Sequence, residues 1–248
     1  MHLQSYTSAT TSASRLNHLP ALFVHVYTAL GAVTAFFGVV AVFEGRYREA
    51  FLWMFVATLI DATDGVLARF ARVKEVLPGI DGSRLDDIVD YLTFVFLPVL
   101  LMYRSGALPG TGGSAIAAVV LVSSAFGFAF VDAKTDDHYF TGFPSYWNIV
   151  ALYLHVAGFG TMVNAAILLV LSAMVFWRVR YIYPTRTPAL RTLTIVLGAI
   201  WTLMVLAMIL QLPTITMPLV IASAFFPIYY FILSAVLHVR APGAGVAR

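Results

Sequence analysis

Residues 49–72 read EAFLWMFVATLIDATDGVLARFAR, an apolar run long enough to cross about 30 Å of hydrocarbon as a helix that carries two carboxylates in its second half. Asp61, Asp64, Gly65, Ala68 and Arg69 follow the i, i+3, i+4, i+7, i+8 series and therefore share one helical face. An ionised group inside a membrane helix is expensive, so it marks a functional site or a tightly paired structural one. Downstream, Gly82, Asp86 and Asp90 stand at i, i+4 and i+8 and share a face of the following helix. Two antiparallel helices joined by a short cytoplasmic loop can bring these two stripes together.

The rest of the chain has the composition of a membrane protein. Of 248 residues, 60% are apolar and 11% charged, with a mean hydropathy of +0.88; soluble domains sit near ~45–50% and ~25%, which excludes an ordinary soluble enzyme. The absence of cysteine excludes disulfides, thiolate nucleophiles, zinc fingers and iron–sulfur clusters. Although the net charge is +3, the basic residues are spread between apolar runs rather than gathered on one face, so nucleic acid is not an expected partner.

Apolar stretches at 20–43, 49–72, 85–103, 114–131, 161–177, 192–212 and 216–237, with a shorter one at 145–157, predict an all-α polytopic bundle of about eight transmembrane helices. Gly158-Phe159-Gly160 divides 145–177 into two helices. With eight spans and both termini cytoplasmic, twelve of the 15 basic residues lie inside, and only Arg46, Arg48 and Arg104 lie outside, in keeping with the positive-inside rule. Residues 1–18 read as a cytoplasmic or interfacial tail, 19–240 as one membrane-embedded catalytic domain and 241–248 as a C-terminal tail.

Converging carboxylates repel unless a cation neutralises them, and hard oxygen ligands suit Mg2+, Mn2+ or Ca2+; a pair of divalent ions is the economical expectation. Gly65 and Ala68 leave room for a ligand on the helix backbone, and Arg69 can meet phosphate oxygens. The implied chemistry is metal-assisted transfer of a phosphorylated group. Two alternatives are local ion pairs, Asp61 or Asp64 with Arg69 and Asp86 with Arg84, and a cation-coupled transporter.

The string Asp61-x2-Asp64-Gly65-x2-Ala68-Arg69-x12-Gly82-x3-Asp86-x3-Asp90 resembles the signature of the CDP-alcohol phosphatidyltransferase family. The loop 70–81 is longer than is usual there, and with the segment Leu77–Asp87 it is similar to the bacterial branch that makes phosphatidylcholine. The resemblance implies CDP-diacylglycerol and choline as substrates, CMP as product and a homodimer in the bacterial inner (cytoplasmic) membrane, with the active site facing the cytoplasm. It further implies that Asp61, Asp64 and Asp86 hold two ions, Mn2+ or Mg2+, and that Asp90 completes the site and serves as general base. Gly65, Ala68, Arg69 and Gly82, with Thr28 of the first span, would receive the CDP group, and Asp87 would pair with Arg84 or Arg69.

For the acceptor, residues 132–148 combine acidic groups with five aromatics, and aromatic faces hold quaternary ammonium groups. Tyr146, Trp147 and Asn148 are the candidate choline ligands, with an interfacial aromatic belt as the alternative. Gly142-Phe143-Pro144-Ser145 resembles a Gly-Leu-Pro-Ser stretch of phosphatidylserine synthases, so serine is the second acceptor, with Lys134 as the cation for its carboxylate. His155 and Asn164 are expected to hydrogen-bond between helices, and His18 and His25 to be interfacial.

Overall fold

The computed structural model describes residues 5–135 and 137–240; residues 1–4 and the expected C-terminal tail, 241–248, lie outside the described residues. Helix α1 (Ser5–Phe43) is continuous with the segment expected as a tail. A turn at Glu44–Arg46, where Gly45 adopts φ +72° and Arg46 pairs with both Glu44 and Glu49, leads into α2 (Tyr47–Phe70). In α2, Ala50, Phe51, Met54, Ala57, Ile60 and Asp64 form the buried face, so the last position of an apolar stripe is filled by an aspartate.

The chain leaves α2 through Arg72 in the left-handed region (φ 49°) and makes one helical turn, α3 (Val73–Val76). Asp81 then caps α4 (Gly82–Asp90), its Oδ1 accepting from the backbone N–H of Ser83 at 3.1 Å and of Arg84 at 3.2 Å. This is the usual work of an aspartate at a helix start, where backbone donors lack partners. A single helix was expected over 85–103, but Tyr91–Phe96 is π-helical between α4 and α5 (Leu97–Arg104). The physical reason lies at Pro98, which has no N–H to give to the carbonyl of Phe94.

Helix α6 (Gly113–Ala129) is followed by β1 (Tyr139–Thr141), α7 (Trp147–Ala157), α8 (Thr161–Phe176) and β2 (Arg180–Ile182). As expected, α7 and α8 are separate helices, with Gly158 at φ +62° ending the first. The described residues are mostly helical, as expected, and to the helices the structure adds one short pairing, β1 antiparallel to β2, with Phe140 opposite Tyr181. Neither segment has a helical partner for its backbone, so each satisfies the other. The chain ends in α9 (Arg191–Gln211), α10 (Met217–Ser223) and α11 (Phe225–Arg240), the last two separated at Ala224.

Among the described residues, four stretches are long and apolar enough to cross a membrane, His18–Phe43, Tyr47–Phe70, Arg191–Gln211 and Met217–Arg240, and α6, α7 and α8 are shorter apolar helices. Large apolar side chains such as Phe23, Phe36, Met162, Leu203 and Ile221 are exposed, as a lipid-facing surface requires. The interior cluster is built around Phe51, Leu97, Leu101, Trp147, Leu168 and Met208. His155 packs against the rings of Tyr47 and Phe51 rather than hydrogen-bonding between helices, whereas Asn164 donates to the Ala107 carbonyl at 2.9 Å.

What sets the distance between α1 and α4 is a glycine. A Cβ at Gly31 would lie 2.3 Å from Cγ1 of buried Val89, one residue before Asp90. Because a β-branched side chain cannot swing away, Gly31→Ala should destabilise the protein by about 1–3 kcal/mol, the usual cost of overpacking. Gly31→Ala/Val89→Ala should recover much of that loss. Thermal unfolding in detergent checks the pair, and a Gly31→Ala protein as stable as the parent would show that the helices are free to separate.

Candidate active site

The two stripes do meet. Asp61 on α2 and Asp86 and Asp90 on α4 each offer a carboxylate oxygen lying within 4.8 Å of the other two. Oxygens bound to one hard cation at about 2.0–2.6 Å lie no further apart than about 4–5 Å, so the trio has the spacing and donor type that Mg2+, Mn2+ or Ca2+ requires. Asp64 is buried, at 7% exposure, and is turned toward α1, where Thr28 Oγ1 donates to its Oδ2 at 2.7 Å. Thr28, expected on the nucleotide side, therefore has a defined partner: it orients the Asp64 carboxylate.

The local cation comes from a different part of the chain than the ion-pair alternative supposed. Lys134, in the segment after α6, reaches Asp87 Oδ1 at 3.2 Å and Asp86 Oδ2 at 3.5 Å. Asp87 thus pairs with Lys134, and not with Arg84 or Arg69, because Arg84 is taken by Asp81 at 3.2 Å. Among the described residues Arg69 forms no ion pair; it is exposed at the end of α2. Burial pulls the Lys134 ammonium down, but Asp86, Asp87 and Asp90 outweigh it and hold its pKa above the usual lysine range. One ammonium still leaves the group of five carboxylates strongly negative, and this excess charge favours a divalent ion.

Beside the carboxylates the small residues differ in environment. A Cβ at Gly65 would meet only the Arg69 guanidinium, at 3.4 Å, so the backbone of α2 is bare there. Ala68 instead packs against the small cluster of Ala21, Val24 and Val73, at the seam of α1, α2 and α3. Gly82 faces α1, where a Cβ would lie 3.0 Å from His25 Cε1. His25 itself, expected at the interface, is buried.

On the other side of the cluster, Lys134 bridges to Phe140 through the backbone, which brings the aromatic residues of β1 to the carboxylates. The Phe140 ring stacks on Tyr183 with centroids 4.7 Å apart and meets Tyr146 edge-on at 6.4 Å. Tyr146 in turn lies against Tyr230 at 6.1 Å. Tyr146 thus belongs to the aromatic group of Phe140, Tyr183 and Tyr230, which the Lys134–Phe140 bridge joins to the carboxylate cluster.

Tyr146, Trp147 and Asn148 do not act together. Trp147 is 0% exposed, with its Nε1 donating to Ser124 Oγ at 2.7 Å and its ring against Phe143. It is a core residue with no free face for a cation. Asn148 donates to Thr58 Oγ1 at 3.1 Å, tying α7 to α2 one turn from Asp61. Tyr183 was missed because it lies in the basic segment 178–191, which reads only as a topology signal; pairing of β1 with β2 is what carries it to Phe140.

Among the described residues of the same loop, Asp132 pairs with Arg178 and Asp137 with Arg180. The hydroxyl of Thr135, donating at 2.6 Å, and the Arg180 guanidinium hold the Asp137 carboxyl below its usual pKa. Gly142 (φ +80°) turns the chain so close to α8 that a Cβ would lie 2.2 Å from the Val175 carbonyl oxygen, and the Phe143 N–H donates to the Met174 carbonyl at 3.0 Å. The Gly142–Ser145 segment thus anchors the loop to the end of α8.

No family model matches the chain. Curated proteins do: a phosphatidylcholine synthase of Pseudomonas aeruginosa is 37% identical over 221 residues, 89% of this chain and 92% of the relative. One from Agrobacterium fabrum is 36% identical over 218 residues, 87% of this chain and 89% of the relative. A third, from Legionella pneumophila, is 41% identical over 170 residues, 68% of this chain and 67% of the relative. Similarity of this extent spans α2, α4 and the bundle around them, and the chain belongs to the phosphatidylcholine synthase family.

Proposed function

We propose that the protein transfers the phosphatidyl group of CDP-diacylglycerol to choline and releases CMP. The observation that carries this reading is the convergence of Asp61, Asp86 and Asp90 on facing parts of α2 and α4, with the bare backbone at Gly65 on the same face of α2. Asp61, Asp64, Asp86 and Asp90 would hold two divalent ions, Mg2+ or Mn2+, whose charge offsets that of the pyrophosphate and of departing CMP. Asp90 takes the proton from the choline hydroxyl, the oxygen so freed forms the new bond to phosphorus, and the phosphorus–oxygen bond to CMP breaks. No covalent intermediate on the protein is needed.

Gly65 admits the CDP group, Gly82 leaves room beside it for the His25 ring, Ala68 keeps α1 close, and exposed Arg69 meets phosphate oxygens. Tyr146 presents an aromatic surface to the trimethylammonium group, with the carboxylates adding attraction. Serine is the weaker acceptor, since Lys134, the cation its carboxylate would need, is engaged by Asp86 and Asp87. The eight apolar segments cross the bacterial inner membrane with both termini cytoplasmic, and the site opens to the cytoplasm, where CMP and choline are soluble. A homodimer is the expected assembly.

The test is CMP release from CDP-diacylglycerol by purified protein with Mg2+ or Mn2+, comparing choline, serine, inositol and glycerol phosphate. Release that depends on choline and stops with chelator is expected; turnover with serine but not choline would overturn the acceptor. Asp61→Asn, Asp64→Asn and Asp86→Asn should each abolish turnover in a folded protein, because each removes a charged metal ligand. Asp90→Asn should lower turnover on the order of 100- to 10,000-fold while CDP-diacylglycerol still binds, and near-parental turnover would rule out the base.

Gly65→Ala separates binding from packing. Since nothing but a flexible guanidinium end lies near the new methyl group, the variant should be as stable as the parent, or more so by up to about 1 kcal/mol from helix propensity. Its affinity for CDP should nevertheless fall. Unchanged CDP affinity would mean that the nucleotide does not lie on this face of α2.

A further inference from the structure

His25 is 6% exposed, and its Nε2 has no hydrogen-bond partner among the described residues. A buried polar atom is nearly always paired in a folded protein, and an exception calls for an explanation. The imidazole stands one turn before Thr28, which is tied to Asp64 on α2, and on the same side of α1 as Ala21 and Val24, which pack with Ala68. On α4 the residue facing it is Gly82, where a Cβ would come within 3.0 Å of its Cε1 and 3.5 Å of its Nδ1. The ring therefore fills the space between α1 and the first turn of α4, on the side of α1 whose Thr28 holds Asp64 and whose cluster meets Ala68.

We infer that His25 is a substrate-binding residue whose Nε2 hydrogen-bonds to the cytidine diphosphate portion of the lipid substrate, a role that rests on the CDP-diacylglycerol reading above. The residues around His25 are those on which that reading seats the nucleotide, and cytidine diphosphate is rich in hydrogen-bond acceptors: phosphate oxygens, ribose hydroxyls and the cytosine carbonyl. A nitrogen without a partner in the ligand-free protein acquires one when such a group enters. Gly82 accordingly has a specific task, since a larger residue there would push the imidazole out of this space. The arrangement keeps a polar group unsatisfied in the free protein so that the ligand can satisfy it, a local conflict of the kind that functional sites retain.

The experiment compares wild type, His25→Leu and His25→Gln for affinity toward CDP with Mn2+ by calorimetry, for thermal unfolding without ligand, and for the KM of choline. His25→Leu should bind CDP about tenfold more weakly, the effect of one lost hydrogen bond, while unfolding at the same or a higher temperature, because no bond is lost in the free protein. His25→Gln, which keeps an N–H, should recover part of the affinity, and the KM of choline should be unchanged. Parallel titrations with CMP and with pyrophosphate assign the contact: weakening toward CMP alone places Nε2 on the nucleoside, and weakening toward pyrophosphate places it on the phosphates. Wild-type affinity for CDP in His25→Leu would overturn the inference, as would a ligand-free His25→Leu protein that fails to fold. A wild-type protein that ignores CDP would instead overturn the nucleotide reading itself.

Discussion

Negative charge that cannot be left bare in a membrane is the constraint from which the rest of this structure follows. Asp61, Asp64, Asp86, Asp87 and Asp90 occupy facing parts of α2 and α4, and each is at least partly removed from water. Their mutual repulsion would separate the two helices unless other groups intervened. Each of those groups comes from a different element: Thr28 of α1 donates to Asp64, and Lys134 from beyond α6 meets Asp86 and Asp87. Asp61 and Asp90 form no ion pair among the described residues, and the trio they make with Asp86 is where a divalent cation fits.

Keeping such a cluster together requires helices that approach closely and hold their positions. Gly31 and Gly38 of α1 receive Val89 and Leu97, so the α1 seam is set by the absence of two side chains rather than by the presence of attractive ones. Immediately beyond Asp90 the helix widens into its π-helical segment, Tyr91–Phe96, where Thr93 Oγ1 donates back to the Val89 carbonyl at 3.0 Å and Tyr91 donates to the Leu121 carbonyl at 2.9 Å. Interrupted helical hydrogen bonding of this kind is frequent at functional sites because it re-aims side chains.

The loops at the same end of the bundle are ordered by a second set of interactions. Pairing of β1 with β2, the Arg178–Asp132 and Arg180–Asp137 ion pairs and the Arg180 guanidinium 4.1 Å over the Tyr139 ring join the segment after α6 to the segment after α8. Exposed ion pairs contribute little individually; the buried cluster of Tyr181, Ile182 and Tyr230 supplies the larger share of the hold. The consequence is chemical as well as structural, since the same segment carries Lys134, which bridges to Phe140 of β1 and meets Asp86 and Asp87.

What the sequence by itself determined is what depends on residues close together in the chain. Helical spacing alone puts Asp61, Asp64, Gly65, Ala68 and Arg69 on one face, and Gly82, Asp86 and Asp90 on another, because a helix relates positions three and four apart whatever surrounds it. Apolar runs and the break at Gly158 are equally local. The tertiary structure decided which distant groups complete those faces: Lys134 rather than Arg84 beside Asp87, Thr28 on Asp64, His25 against Gly82, Tyr183 on Phe140. It also enclosed Trp147 between Ser124 and Phe143 and tied Asn148 to Thr58, which the sequence could not foretell, since an aromatic or amide residue at the start of a helix reads the same whether it is open to a ligand or packed inside. These contacts join residues dozens of positions apart, and their partners are selected by how helices and loops pack, which no local pattern of residue types encodes.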